Sequence, residues 1–154
     1  MFNILSLDPG NATGFVSTEY DPQTATFGDT DMGVLNGLDE AFAYIRSYAA
    51  IKNRTIVVYE GFDLNPGNEF VADLTGVEII GALKYAFPHG WLHKRRRSDK
   101  VQVSDETLKE HGLWVTGGDV DWEDGRDVND AWIHLIGYLC FDAQDTAALR
   151  RFYR

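Results

Sequence analysis

Short apolar runs alternate with amphipathic stretches along the chain, and the two periods mark out its elements. Phe2 to Leu7 is almost continuously apolar, the pattern of a strand covered on both faces, and it ends at Asp8-Pro9-Gly10. Thr13 to Tyr20 and Ala25 to Leu35 read as two further strands, divided by Asp21-Pro22-Gln23, a turn signal that favours a hairpin. Leu38, Phe42, Ile45 and Ala49 recur at helical spacing and predict an amphipathic helix over Gly37 to Ile51. Thr55 to Tyr59 is the clearest strand, β-branched and uninterrupted, and Glu60-Gly61 follows it.

Phe70 to Phe87 predicts a second helix with Phe70, Leu74, Val77, Gly81 and Tyr85 on one stripe, and Gly76 and Gly81 would let it approach the sheet closely. A fifth strand is expected around Trp91 to Lys94, then a short helix from Ser104 to His111 capped by Ser104 or Asp105. Gly112 to Gly125 reads as an acidic loop. The last strong element starts near Asp127, with Val128, Ala131, Leu135 and Leu139 as its apolar stripe, and a basic tail closes the chain. Three strands, helix, strand, helix, strand, helix predicts one α/β domain over residues 1 to 154. Its expected core is a mixed five-stranded sheet flanked by helices: an antiparallel meander first, then strands that return through helical crossovers and lie parallel to the first.

Composition narrows the function classes. The formal net charge of -10 excludes a protein that coats nucleic acid through many Lys and Arg contacts, so any DNA contact must be local. Positive charge is concentrated at Lys94-Arg95-Arg96-Arg97 with Lys100, and at Arg150, Arg151 and Arg154, while six of the twelve residues from Asp119 to Asp130 are acidic. No apolar run approaches the roughly 18 to 20 residues of a spanning helix, and the N-terminus lacks a basic region before a cleavable apolar stretch. A soluble, cytoplasmic protein is expected. The single Cys140 excludes an intrachain disulfide and a cysteine zinc site, and its apolar neighbours suit a core thiol.

The candidate chemistry lies in four carboxylates. If the strands ending at Asp8 and Glu60 are parallel neighbours, both acids stand at one edge of the sheet, where α/β proteins commonly place ligands. Asp127 and Asp130 are three apart and share a helix face, so a helix crossing that edge would complete the cluster. Close carboxylates resist joint ionisation, and two magnesium ions would offset the repulsion. Such a pair, about 4 Å apart, activates a water on one side of a phosphodiester and stabilises the leaving oxygen on the other. Each acid also has a plainer use, as a turn residue, a solvated strand end or a helix cap. The run Asp119 to Gly125 invites a calcium-loop reading, but its glycine falls one place late. Of the four histidines only His134, one turn after Asp130 on the same face, is near enough to matter.

Asp8-Pro9-Gly10-Asn11-Ala12-Thr13-Gly14, Tyr59-Glu60 and Asp127-Val128-Asn129-Asp130-Ala131 together resemble the first-strand, second-acid and final-helix motifs of the RuvC-like Holliday-junction resolvases, particularly the short phage-encoded type. Val103 to Lys109 and Gly112 to Val115 are similar to the linker of the phage proteins. The first motif has one residue fewer between glycine and threonine than the family pattern. The resemblance implies a ribonuclease-H-like fold and a magnesium-dependent homodimer, with manganese a possible substitute, that cleaves four-way and related branched DNA in the cytoplasm, the host's if the chain is phage-encoded. It carries over Asp8, Glu60 and Asp130 as metal-binding catalytic acids and Asp127 as the fourth ligand, a position held by His in some relatives. A linker base assists catalysis in such enzymes, and Lys100 and Lys109 are the candidates. For DNA contact the candidates are Lys94, Arg95, Arg96, Arg97, Lys100, Lys109 and Phe62, with Phe62 placed to stack on or wedge between bases. The alternatives are ribonuclease H-type cleavage of RNA-DNA hybrids and a non-catalytic DNA-binding or dimerisation module.

Overall fold

A computed structural model describes residues 1–51, 54–61, 74–116 and 122–154, with the side chains of 122–124 excepted. Its strands are β1 (Phe2–Asp8), β2 (Ala12–Asp21), β3 (Thr26–Asn36), β4 (Thr55–Glu60) and β5 (Leu92–Arg95). They form one sheet in the order β3-β2-β1-β4-β5. β1 pairs antiparallel with β2, as β2 does with β3, while β4 lies parallel to β1 and β5 parallel to β4. The mixed sheet expected from the element order is therefore observed.

Side-chain alternation divides this sheet between two helical layers. Leu5, Leu7, Phe15, Val57 and Tyr59 point to one face, where they form a core with α1 (Gly37–Ile51) and α2 (Thr75–Ala86). Ile4, Val16, Tyr20 and Val58 point to the other, against α4 (Trp122–Gly137) and Phe152 of α5 (Thr146–Tyr153). The short α3 (Asp105–Glu110) joins that second layer through the buried Leu108, and the Ser104 side chain caps it by accepting from the Thr107 N–H at 3.2 Å. Period-two alternation then fixes the acids: Asp8 follows Ile4 and Ser6, Glu60 follows Ile56 and Val58, and both face α4.

The buried faces of α1 and α2 differ from the predicted stripes. In α1 the covered residues are Ala41, Ile45 and Tyr48, while Phe42 is exposed. The Tyr44 ring packs tilted against Phe15, and the Tyr48 hydroxyl accepts from Ser17 at 3.0 Å, so tyrosines take the place given to Phe42. In α2 the covered residues are Gly76, Ile79 and Leu83, whereas Leu74, Val77 and Tyr85 are exposed, Tyr85 by 96%. Apolar residues surround nearly the whole of this helix, so periodicity alone did not select its face. A Cβ on Gly81 would meet nothing within 4 Å, hence Gly81 allows no close approach. Helix α2 begins at Thr75 rather than Phe70, and residues 70–73 lie outside the described ones. Helix α4 begins at Trp122, five residues before the expected start, and the basic tail is the helix α5, capped by Asp145 accepting from the N–H groups of Ala147 and Ala148.

The apolar stripe of α4 is buried as expected at Val128, Ala131, Leu135 and Leu139, and Trp132, Ile133 and Ile136 are buried with it. Past Gly137 the chain widens into a π turn, Tyr138–Asp142. Two contacts bring this helix onto the sheet at backbone distance. The Ser6 hydroxyl donates to the Ala131 carbonyl at 2.8 Å, and a Cβ on Gly14 would overlap the Asp127 carbonyl. Gly14 is therefore glycine because the α4 backbone occupies the space of a side chain. Gly14→Ala should cost about 2 kcal/mol of unfolding free energy in a chemical-denaturation titration, because neither backbone can yield without separating helix from sheet.

Candidate metal and phosphate site

β1 and β4 deliver Asp8 and Glu60 side by side, in a register that pairs Leu7 with Tyr59. The turn after Asp8 is closed by the buried Thr13, whose hydroxyl accepts from the Gly10 N–H at 3.2 Å and donates to the Gly10 carbonyl at 2.9 Å. Helix α4 brings Asp130 and His134 across this edge. Between them stands Lys100, carried on a 3-10 turn, Arg97–Gln102. Its Nζ lies 2.7 Å from Glu60 Oε2, 2.8 Å from Asp130 Oδ2 and 3.2 Å from Asp8 Oδ2. Of the two candidate linker bases, Lys100 is the one the fold brings to the acids. Lys109 instead sits over the Trp114 ring, 4.7 Å from its centroid.

His134 is fully buried, and its Nε2 lies 2.9 Å from Glu60 Oε2. An ionised carboxylate only accepts, so the imidazole N–H on Nε2 is the donor; Nδ1 is buried and has no hydrogen-bond partner among the described residues. Among the described residues, the ligand atoms that converge within 4.8 Å of one another belong to Asp8, Glu60 and His134. Asp130 joins them through Lys100. Asp127 is half-buried two turns before His134 on the same helix, with its backbone against Gly14. His134 lies on the same helix face seven residues after Asp127, and its Nε2 reaches Glu60. The spacing of His134 after Asp130 was the available signal.

The basic run divides by strand alternation. Lys94, Arg96 and Arg97 are exposed, whereas Arg95 is 1% exposed. Arg95 donates to Asp142 at 2.5 Å and to the Gln102 side chain at 2.6 Å, and a Cβ on Gly137 would crowd its guanidinium. The expectation that Arg95 meets DNA is corrected: it is a buried tie between β5, the end of α4 and the turn that carries Lys100. The strand expected around Trp91 to Lys94 runs from Leu92 to Arg95, so Arg95 is its last residue and takes the inward side of the pleat. Tyr153 holds the same turn from the other side, donating to the Gln102 carbonyl at 2.6 Å. Phe62 lies outside the described residues, as does most of the acidic segment considered as a calcium loop. Of the C-terminal arginines, Arg151 packs over Phe27 and Phe152 and donates to the Ala25 carbonyl, while Arg150 and Arg154 are exposed.

Environment drives the two strand-end acids in opposite directions. Burial, with the neighbouring Glu60 and Asp130 charges, raises Asp8 to about 7 against the opposing pull of Lys100. Burial works upward on Glu60 as well, but hydrogen bonds from His134 and Lys100 outweigh it and hold Glu60 down to about 2. Lys100 resists its own burial because Asp8, Asp130 and Glu60 favour the ammonium form, and its pKa is raised. Asp8, Glu60 and Asp130 around the Lys100 ammonium, with the His134 imidazole beside them, form a donor set that could hold a metal ion. Its carboxylates suit magnesium, and the His134 nitrogen extends the donor set toward softer ions such as manganese.

Strand order, strand directions and the acid-bearing helix across the sheet edge define an α/β protein of ribonuclease-H-like fold. The chain is similar to T. thermophilus RuvC, whose structure is of a complex with Holliday junction substrate: the match covers 96% of this chain and 98% of that one, with a TM-score of 0.63 and 15% sequence identity. At that identity the likeness is one of fold. No family model matches the chain, and no curated protein sequence matches it.

Two outcomes follow from the electrostatics. Lys100→Ala should lower the melting temperature in chelator, and magnesium should restore more of it than in the parent protein, because the cation then offsets repulsion that no ammonium relieves. For pH, Asp8 binds its proton more tightly in the folded state than at its ordinary 3.8, so its ionisation costs stability as pH rises from about 4 to 7. A cation that needs the Asp8 carboxylate competes with that proton. Its affinity, read by calorimetric titration, should rise from pH 6 to 8 and lose that slope in Asp8→Asn. Glu60 contributes the reverse, stability that is present above 4.5 and lost only toward pH 2.

Proposed function

We propose that residues 1 to 154 form one RuvC-like nuclease domain, a structure-specific endonuclease that hydrolyses the phosphodiesters of Holliday junctions and related branched DNA. The observation that carries this reading is the convergence of Asp8, Glu60 and Asp130 on Lys100 at one sheet edge, in a fold similar to that of RuvC. Asp8, Glu60 and Asp130 would hold divalent cations, with His134 orienting Glu60 and Asp127 available from the same helix. Two magnesium ions, or manganese in their place, would supply an activated water and a stabilised leaving oxygen on opposite sides of the scissile phosphate.

The remaining roles belong to the chain's own residues. Glu60 stays ionised across the physiological range because His134 and Lys100 both donate to it. Lys100 balances the acids and presents positive charge to an entering phosphate. Lys94, Arg96 and Arg97 are exposed beside the same edge, since β5 runs parallel to β4 and Glu60 pairs with Arg95 in register. They suit a local grip on phosphates by a protein whose net charge is -10. A resolvase makes two symmetric cuts, so a twofold homodimer with two such sites is the economical assembly.

The test is cleavage of end-labelled four-way junction, flap, linear duplex and RNA-DNA hybrid in magnesium, with calcium as a control. Paired cuts confined to the junction are expected, and Asp8→Asn and Asp130→Asn should fall to background while retaining the parent circular-dichroism spectrum. Cleavage of the hybrid alone would make the protein a ribonuclease H. Absence of metal-dependent cutting on every substrate would leave a binding module.

A further inference from the structure

A cleft of about 310 Å³ opens beside the acid cluster, between α4 and the segment that follows α3. Its described walls include Trp114, Val115, Asn129, Arg126, Asp105 and Asp130. The volume stands at the lower end of the roughly 300 to 1,000 Å³ that ligand pockets occupy. One wall is built rather than incidental. The buried Asn129 side chain accepts from the Val115 N–H at 2.8 Å and donates to the Val115 carbonyl at 3.0 Å, so the Trp114-Val115 backbone is clasped to the helix that carries Asp130. The Lys109 ammonium lies over the Trp114 ring and fixes the indole from one side.

We propose that this cleft receives a nucleobase, unstacked from the DNA strand next to the phosphate held at the acid cluster. The proposal rests on the nuclease reading and names what its site takes besides the phosphate. Three observations select a base over other parts of a DNA strand. Asp130 belongs both to the cleft wall and to the group around Lys100, so a phosphate at the cluster puts the neighbouring nucleotide at the cleft mouth. The described walls carry two carboxylates, Asp105 and Asp130, against the single Arg126, a balance that favours an uncharged base over a phosphate inside the cleft. Trp114 brings an aromatic ring to the cleft wall, the residue type on which bases stack, and the exposed Arg126 on the same wall supplies a cation for the flanking backbone. A branch point suits this demand, because bases there are released from their stack at less cost than in a continuous duplex.

The experiment uses the full chain and a four-way junction whose cut positions in magnesium have first been mapped. Single abasic residues, which keep the phosphates and remove one base, are placed in turn on either side of the scissile phosphate. One of them should slow the parent protein about tenfold, the loss of a single base-aromatic stack. Trp114→Ala should be slowed similarly on the intact junction and lose little more on that abasic one, while Trp114→Phe keeps the difference. Equal slowing of Trp114→Ala and parent by the missing base would overturn the cleft assignment and leave the nuclease intact. So would a parent rate indifferent to every abasic position, which needs no variant to fold. A parent protein that cuts no branched DNA would remove the nuclease reading, and the cleft with it.

Discussion

Helix α4 has to lie against β1 and β2 at backbone distance, and the other parts of the site take their places from that contact. The helix is covered on every side from Ala131 to Gly137, and the covered stretch continues through the π turn to Cys140. That burial supplies the driving force, and the missing side chain at Gly14 supplies the room. The Ser6 hydroxyl then sets the helix along its axis by holding the Ala131 carbonyl. Asp130 precedes that carbonyl by one residue and His134 follows it by three, so a single buried hydrogen bond indexes both against the strand that ends at Asp8.

The charges at this edge are a problem that the fold meets with its own cation. Three carboxylates around one point would repel strongly in surroundings poorer than water at screening them. Lys100 stands among them, and it is no loose surface lysine: Arg95 and Tyr153 both clamp Gln102, the last residue of its turn. The result is unequal. Glu60, which receives two donors, is held down and stays ionised, whereas Asp8, desolvated by burial and faced by like charges, is pushed up to about 7. Two acids at the ends of neighbouring strands thereby acquire different chemical readiness from their surroundings alone.

Arg95 shows how a run of like charges can conceal two roles. Residues 94 to 97 look uniform in sequence, but the last residue of a strand points where the pleat sends it, and in β5 that is inward. Buried guanidinium is stabilised there by Asp142 and Gln102, and Gly137 leaves space for it. Lys94, Arg96 and Arg97 remain outside. The interior arginine shapes the site at one remove, through the turn that seats Lys100.

The strands, their order of appearance and the placement of Asp8 and Glu60 were legible in the sequence because each rests on local rules. Apolar runs mark strands, Asp-Pro-Gly and Glu-Gly end them, and parallel return strands put those ends at one edge. In α4 the predicted stripe of Val128, Ala131, Leu135 and Leu139 was legible from its helical spacing, but Trp132, Ile133 and Ile136 are buried as well, so the extent of its cover was decided by packing. Helices α1 and α2 carry apolar residues around most of their circumference, so only packing against the sheet and each other decided which side is covered. Nor could spacing choose Lys100 over Lys109, turn Arg95 inward, or bring His134 to Glu60. Those outcomes depend on distances between segments far apart in the chain, which close packing of α4 on the sheet sets and no local pattern encodes.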